Sequence, residues 1–394
     1  MEKKLNQFFE NVYQFSQENY PNQINKNLKS IIITHVMPTT VNYLLFINKI
    51  WPIEAVVGIP YSLDLKTVEE LKKHGIRVET PEIIESVPKT AIKIIESLYE
   101  KNTSVIIQEV GGYLAPYLNY LKTLNNVIGI VEDTAQGHWR YEKHDKGQLP
   151  ILSIAFSTLK NVEDTVVGDA VIYSLERILR ENFWDVVQGK KSLVLGYGKI
   201  GKSCAIALKG RESIVSVYDI NPILNITARV EGYNTGTLRK LIQDADIIVG
   251  ASGSTSLQGD IFDEIKDGAI LASGSSRDIE FDVSSIVNHF RREEDSLLWK
   301  CENKKGNQFY VLNQGKPVNF RDYGILGPYL YLVFGELLYC MLKISTSAVN
   351  NGIGVNSEEE RKIIAKHFYE TLFEEPVSLN HKEDSSNAVA GGIK

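Results

Sequence analysis

Along the first 160 residues, short β-branched runs alternate with stretches of helical spacing. Ile31-Ile32-Ile33 reads as a strand, an apolar helix follows from Val41 to Ile50, and Ala55 to Ile59 is the next strand. Leu63 to Lys73 has amphipathic helical spacing, Arg77 to Glu79 a strand pattern, and Lys89 to Glu100 helical spacing again (Ile92, Ile94, Ile95, Leu98). Further strands are predicted at Ser104–Ile107, Val127–Val131 and Ile151–Phe156. Strands alternating with helices imply a parallel sheet covered on both faces. A long connecting helix is predicted over Val171 to Trp184, and a second α/β unit begins at Lys191. Its strands fall at Ser192–Leu195, Ile214–Tyr218, Ile247–Val249, Ala269–Ala272 and Gln308–Leu312, with a helix running to Lys209 after the first. The longest apolar stretch, Tyr329 to Ser345, is interrupted by Gly335, Glu336 and Lys343. It is shorter than a membrane span requires and reads as a buried helix opened by Pro328. From Glu374 onward the polar, small-residue tail is expected to be loosely ordered.

A length of 394 residues suits two to three domains. The net charge of -6 argues against nucleic acid or an anionic membrane as the main partner, since both require an excess of Lys and Arg. Cys204, Cys301 and Cys340 are odd in number and lack CxxC spacing. That argues against a disulfide framework or structural zinc, predicts no metal, and fits a reducing cytoplasm. Met1 to Gln17 carries no apolar signal core.

The segment Val194-Leu195-Gly196-Tyr197-Gly198-Lys199-Ile200-Gly201 places a GxGxxG pattern between a predicted strand and a predicted helix. Gly196 permits the tight turn, Gly198 lets backbone approach a pyrophosphate, and Gly201 lets helix and strand pack closely. The helix start then offers N–H groups to phosphates, with Lys199 and Ile200 in its first turn. Asp219 closes the next strand, where a carboxylate accepts ribose hydroxyls and repels a 2′-phosphate. A Rossmann domain binding NAD rather than NADP is the expectation.

Segments around this unit resemble S-adenosylhomocysteine hydrolase, in the right order from His35 to Asn319. Asp219-Ile220-Asn221-Pro222, Ala245 to Val249, Ala251-Ser252-Gly253, Asp278 to Asp282 and Pro317-Val318-Asn319 are similar to its cofactor-half motifs. Upstream, Glu132-Asp133-Thr134-Ala135-Gln136-Gly137 is similar to its Glu-Glu-Thr-Thr-Thr-Gly run. Lys160 to Gly168 fits its Lys-x-x-x-Asp-Asn-x-x-Gly segment through Lys160, Asp164 and Gly168, with Thr165 at the Asn. The resemblance implies that Lys160 and Asp164 flank a ribose hydroxyl that is oxidised. It also makes His35, in His-Val-Met-Pro, an acid or base near the leaving group, with Asp133, Thr134 and Glu109 as substrate contacts. Ser252, Gly253, Asn319 and Thr165 then join the glycine loop and Asp219 in binding NAD. Oxidation of the alcohol requires a proton acceptor, either a Lys of depressed pKa or a carboxylate. The ketone then acidifies the neighbouring C–H, a 5′ thiolate leaves, water adds, and the stored reducing equivalents return, for a net hydrolysis. Taken without the resemblance, Lys160 and Asp164 also have the four-residue spacing of a solvated helix pair.

The fit is uneven. The Asp of the family's Asp-Gly-Gly is Val110, beside Glu109, and a family His aligns with Ser276. No His matches its Gly-His-Pro segment, where this chain reads Leu326-Gly327-Pro328, and its C-terminal extension is not recognisable. The resemblance implies an α/β fold in which a Rossmann NAD-binding domain is inserted into a second α/β substrate domain with a C-terminal helical return. Residues 1–170 form the substrate domain, 171–325 the NAD domain, 326–375 the return and 376–394 a flexible tail. Hinges are expected near Val171–Asp185 and Tyr323–Pro328. The expected partner is a small nucleoside-type substrate, in a homo-oligomer of the cytoplasm. Two other functions fit the same plan: an NAD-dependent 2-hydroxy-acid dehydrogenase, and a catalytically silent NAD binder.

Overall fold

The computed structural model describes residues 1–21, 23–275, 279–282, 284–286, 291–294 and 297–377. Ser276, Asp278 and all of the expected tail beyond residue 377 lie outside these. The fold is α/β, with two sheets and helices on both faces of each.

The chain opens with α1 (Glu2–Asn19), then β1 (Lys29–Val36), α2 (Val41–Ile50), β2 (Ile53–Leu63), α3 (Leu65–Lys73), β3 (Val78–Glu79), α4 (Ser86–Glu100) and β4 (Val105–Glu109). It continues through α5 (Leu118–Leu124), β5 (Val127–Glu132), α6 (Ala135–His144), β6 (Pro150–Ser153) and α7 (Thr158–Phe183). The second sheet draws on β7 (Lys191–Leu195), α8 (Lys199–Gly210), β8 (Ile214–Tyr218), α9 (Pro222–Val230), β9 (Asn234–Thr235), α10 (Leu238–Asp244), β10 (Ile247–Gly250) and β11 (Ala269–Ser273). It is completed by β12 (Arg291–Glu294), β13 (Leu298–Glu302) and β14 (Gln308–Leu312). The chain then forms α11 (Tyr329–Ser345), β15 (Gly352–Gly354) and α12 (Glu358–Phe373).

The first sheet has the order β15-β6-β5-β4-β1-β2-β3, all parallel. Its strands are apolar on both faces because alternate residues enter different layers. Ile32, Val56, Ile106 and Val131 pack with α1, α2 and α11, while Ile31, Ile33, Val57, Ile107 and Ile130 pack with α4 and α5. The second sheet runs β12-β13-β14-β11-β10-β7-β8-β9, parallel except for the β12–β13–β14 edge. In an open parallel sheet a crevice forms outside the strand C-termini where the winding direction reverses. The reversal falls between β1 and β4 in the first sheet and between β7 and β10 in the second.

Several elements depart from the sequence expectation. α7 begins at Thr158, thirteen residues before the predicted start, so the Lys160–Gly168 segment is helical. Ser157 caps it, its Oγ accepting the Leu159 N–H at 3.1 Å. The helix runs unbroken to Phe183, and Trp184, left-handed at φ 52, ends it inside the Val171–Asp185 stretch expected to hold a hinge. Gly168 sits where α7 meets α8, and a Cβ there would lie 2.2 Å from the Cys204 backbone nitrogen. α11 packs against α1 and over β4 and β5, and β15 adds a strand beside β6. Among the described residues no helix is long and apolar enough to cross a membrane.

Candidate functional site

The two crevices face one another and share one cavity of 380 Å³. From the first sheet it is lined by Thr34 and His35 at the end of β1, Gln108 and Val110 at the end of β4, and Asp133 and Thr134 after β5. From the second come Gly198, Lys199 and Ile200 after β7, and Ala251, Ser252 and Gly253 after β10. α7 supplies Lys160, Glu163 and Asp164, and Asn319 and Phe320 close the far side. Gln136 Nε2 donates to the Gly253 carbonyl across the cleft, and the His35 ring lies 4.5 Å from the Phe320 ring.

On the second sheet the glycine turn has the geometry a dinucleotide needs. Gly196 stands at φ 91, and a Cβ on Gly201 would lie 2.0 Å from the Gly196 carbonyl oxygen. A Cβ on Gly198, by contrast, meets nothing within 4 Å, so backbone there is open to a ligand. Gly198 caps α8 without a side-chain hydrogen bond, leaving the first-turn N–H groups available to phosphate. Asp219 ends β8 beside this turn, its Oδ2 accepting the Tyr197 N–H at 2.6 Å and its Oδ1 the Asn221 N–H at 2.7 Å. Asn319 is 8 % exposed and lines the cavity with its Oδ1 unpartnered. A buried carbonyl oxygen without a donor calls for one from a ligand, and a carboxamide N–H supplies it. Ser252 and Gly253 are held by Glu280, which accepts the Ser252 Oγ–H at 2.9 Å and the Gly253 N–H at 2.7 Å. These residues fit NAD.

The opposite wall is a charged cluster. Lys160 Nζ lies 2.9 Å from Glu163 Oε2 and 3.3 Å from Asp133 Oδ1, and Lys199 Nζ lies 3.3 Å from Asp164 Oδ2. Burial alone would depress the Lys160 pKa, but Asp133, Glu163 and Asp164 outweigh it and hold the ammonium well above its ordinary range. The surrounding carboxylates thus favour the ammonium form of Lys160, opposite to the depressed pKa that a lysine acting as base requires. Glu163, absent from the sequence candidates, is a further carboxylate of this cluster and lines the cavity. Burial raises it to about 7, against the pull of Lys160 and with the push of Asp164 and Asp133.

His35 lines the same cavity. Burial and then the Lys160 charge hold its imidazole down at about 3, and its Nδ1 lies 2.5 Å from Ser62 Oγ. At neutral pH this favours the neutral ring, which can accept or donate a hydrogen bond, over the imidazolium. Thr134 lines the cavity while capping α6, its Oγ accepting the Gly137 N–H at 3.0 Å. Glu109 does not line the cavity. It is fully buried behind it, accepting the Tyr113 N–H at 2.9 Å and the Tyr141 hydroxyl. Strand alternation explains this: Gln108 and Val110 face the cavity, so Glu109 between them faces away. Thr165 also lies outside, exposed, its hydroxyl donating to the Val162 carbonyl at 2.6 Å. Its own carbonyl accepts from Ser203 of α8 at 2.7 Å, a packing role rather than a cofactor contact.

Residues 172–322 match the family described as S-adenosyl-L-homocysteine hydrolase, NAD binding domain. Among solved structures, the chain is similar to D-lactate dehydrogenase from Escherichia coli, at 18% identity over 66% of this chain and 78% of that one, with a TM-score of 0.37. A pyruvate reductase of Chlamydomonas reinhardtii is 16% identical over 68% and 74%, with a TM-score of 0.39. A putative D-3-phosphoglycerate dehydrogenase from Ralstonia solanacearum is 14% identical over 63% and 73%, with a TM-score of 0.39. Likeness at that level carries nothing about the substrate. The second sheet and its helices are thus an NAD-binding domain similar to that of S-adenosyl-L-homocysteine hydrolase, and NAD is its cofactor.

Proposed function

We propose an adenosylhomocysteinase-like reaction on S-adenosylhomocysteine or a related nucleoside, beginning with oxidation of a ribose hydroxyl. The supporting observation is that Lys160, Glu163 and Asp133 share one cavity with the NAD loop and the unpartnered Asn319 oxygen. In this reading residues 1–170 and 326–375 hold the substrate and 171–325 the cofactor, with α7 crossing the boundary. NAD, when bound, supplies the two-electron acceptor for the alcohol carbon. Gly196, Gly198, Lys199, Ile200, Gly201, Asp219, Ser252 and Gly253 would hold it, and the unpartnered Asn319 oxygen would accept from a carboxamide N–H.

The chain's own residues then handle the proton. Glu163, near neutrality, accepts it from the hydroxyl, and a base poised near the working pH is effective. Lys160 stays charged and stabilises the oxygen as it gains negative character, while Asp133 orients Lys160. His35 and Thr134 contact the substrate as neutral hydrogen-bonding groups. Elimination of a 5′ group calls for a further acid, and Val110 supplies none at its position. Oxidation therefore outlasts hydrolysis in this chain. A 2-hydroxy acid would call for a cation to hold its carboxylate, and both lysines lining the cavity are already paired.

Adenosine added to the NAD-bound protein should produce the near-ultraviolet absorbance of reduced nicotinamide. Glu163→Gln should suppress that signal while calorimetry shows NAD binding nearly intact. No signal with any nucleoside, in a protein that binds NAD, would leave the silent binder standing in place of this reading.

A further inference from the structure

The charges lining the cavity close among themselves. Lys160 is shared by Asp133 and Glu163, and Lys199 faces Asp164. Among the described lining residues these are the only lysines, and there is no arginine. Asp133 and Asp164 thus balance the two lysines, and Glu163 is left over with a partly retained proton. His35 brings no charge. The rest of the lining carries no cation: it holds an apolar set, Met37, Val110 and Phe334 at 5–6 % exposure with Leu330, together with neutral polar groups such as Thr39, Thr40 and Gln108.

Resting on the nucleoside reading above, we infer that the substrate carries an uncharged, apolar 5′ substituent and that Met37, Val110, Leu330 and Phe334 select for it. A carboxylate on the 5′ tail would enter a wall with no cation to receive it. Taking Lys160 for that purpose would strip Asp133 and Glu163 of their partner, and a buried carboxylate without a partner is costly. Taking Lys199 would release Asp164, which is 12% exposed at its side chain, in the same way. A thioether or alkyl group, by contrast, gains contact with four apolar side chains and disturbs no ion pair. The preferred ligands are neutral 5′-alkylthio or 5′-alkyl nucleosides rather than one bearing an amino-acid tail.

The experiment compares matched ligands by reduction of bound NAD in the intact protein. Adenosine-5′-carboxamide and adenosine-5′-carboxylic acid are nearly isosteric and differ in charge. 5′-Methylthioadenosine and S-adenosylhomocysteine differ in the amino-acid end. The neutral member of each pair should half-saturate at a concentration at least about tenfold lower. Val110→Asp should weaken 5′-methylthioadenosine by a similar factor and leave NAD affinity unchanged. Equal or tighter use of S-adenosylhomocysteine would overturn the inference and leave the nucleoside reading in place. Reduction by none of the four would overturn both.

Discussion

Lys160 pairs with Glu163 three residues further along α7, at 2.9 Å, while Asp164 turns to Lys199 of the second lobe. The i,i+3 spacing thus holds the cation next to the carboxylate proposed to take the proton. Glu163 is raised to about 7, chiefly by burial, and accepts a proton only when ionised. The rate of bound-NAD reduction should rise about tenfold per pH unit below about pH 7 and level off above it. Glu163→Gln should remove that limb and lower the rate by about a hundred- to ten-thousand-fold. Stopped-flow absorbance across the range checks this, and a flat wild-type profile would take the proton from another acceptor.

NAD should bind more tightly than NADP. Asp219 is anchored by the Tyr197 and Asn221 N–H groups, and Ile220 and Asn221 follow it without an arginine. A fixed carboxylate accepts ribose hydroxyls and repels a 2′-phosphate. Asp219→Ser should weaken NAD by roughly ten- to a hundredfold and narrow the gap between the cofactors. Titration calorimetry with both nucleotides measures the gap; NADP binding equally to wild type would refute the assignment.

Ser157 should be a larger contributor to stability than its size implies. Its Oγ caps α7 and donates to Glu336 of α11, which also accepts from Arg361 of α12 at 3.1 Å. Ser157→Ala should cost about 1–2 kcal/mol and slow NAD reduction, because the first turn of α7 carries Lys160 and Glu163. Glu336→Ala should cost more, about 3 kcal/mol, since it removes the buried partner of Arg361 and leaves only the more exposed Glu358 at 3.5 Å. Denaturant melts of the two variants set the order, and a neutral Ser157→Ala would dissolve the link.

Glu109 and Glu132 are both fully buried at neighbouring strand ends. Burial raises Glu109 to about 7; burial and then Glu109 raise Glu132 to about 8. The folded state therefore holds these protons more tightly than the unfolded chain, where a Glu titrates near its ordinary 4.5. Their contribution to stability is complete below about pH 4.5 and is lost as pH rises through about 7 to 8. Relative to Glu109→Gln, the wild type should lose melting temperature over that window. A difference that stays constant from pH 5 to about pH 9 would exclude the effect.

The glycine turn was legible because each glycine there answers a distinct backbone demand, and Asp219 stands at the end of the next strand. Asp133, Thr134, Lys160 and Asp164 were found through motif order, and the cavity contains all four. Glu163 was not, since a sequence shows which carboxylate is present but not how deeply it is buried. Glu109 was misassigned although strand alternation could have turned it away from the cavity. α1 lies within Met1 to Gln17, where the lack of a signal core says nothing of the helix, but Leu5, Phe8, Phe9, Val12 and Phe15 repeat at helical intervals and are all buried. β15 is three residues of Gly-Ile-Gly and has no pattern to read: its pairing with β6 exists only in three dimensions.

The first sheet is finished by residues at the other end of the chain. β15 borders β6, and α11 and α12 cover α1, so these partners reach one another only after the whole NAD-binding domain has been synthesised. At about 5–20 residues per second, the stretch from α7 to α12 takes roughly 10–40 s to emerge from a ribosome. During that interval Phe8, Phe9 and Phe15 have no α11 or α12 to cover them, while β7 to β14 can already close into a sheet. The NAD-binding domain is thus placed to fold first, and the emerging amino-terminal half must be kept from aggregating until its last strand arrives.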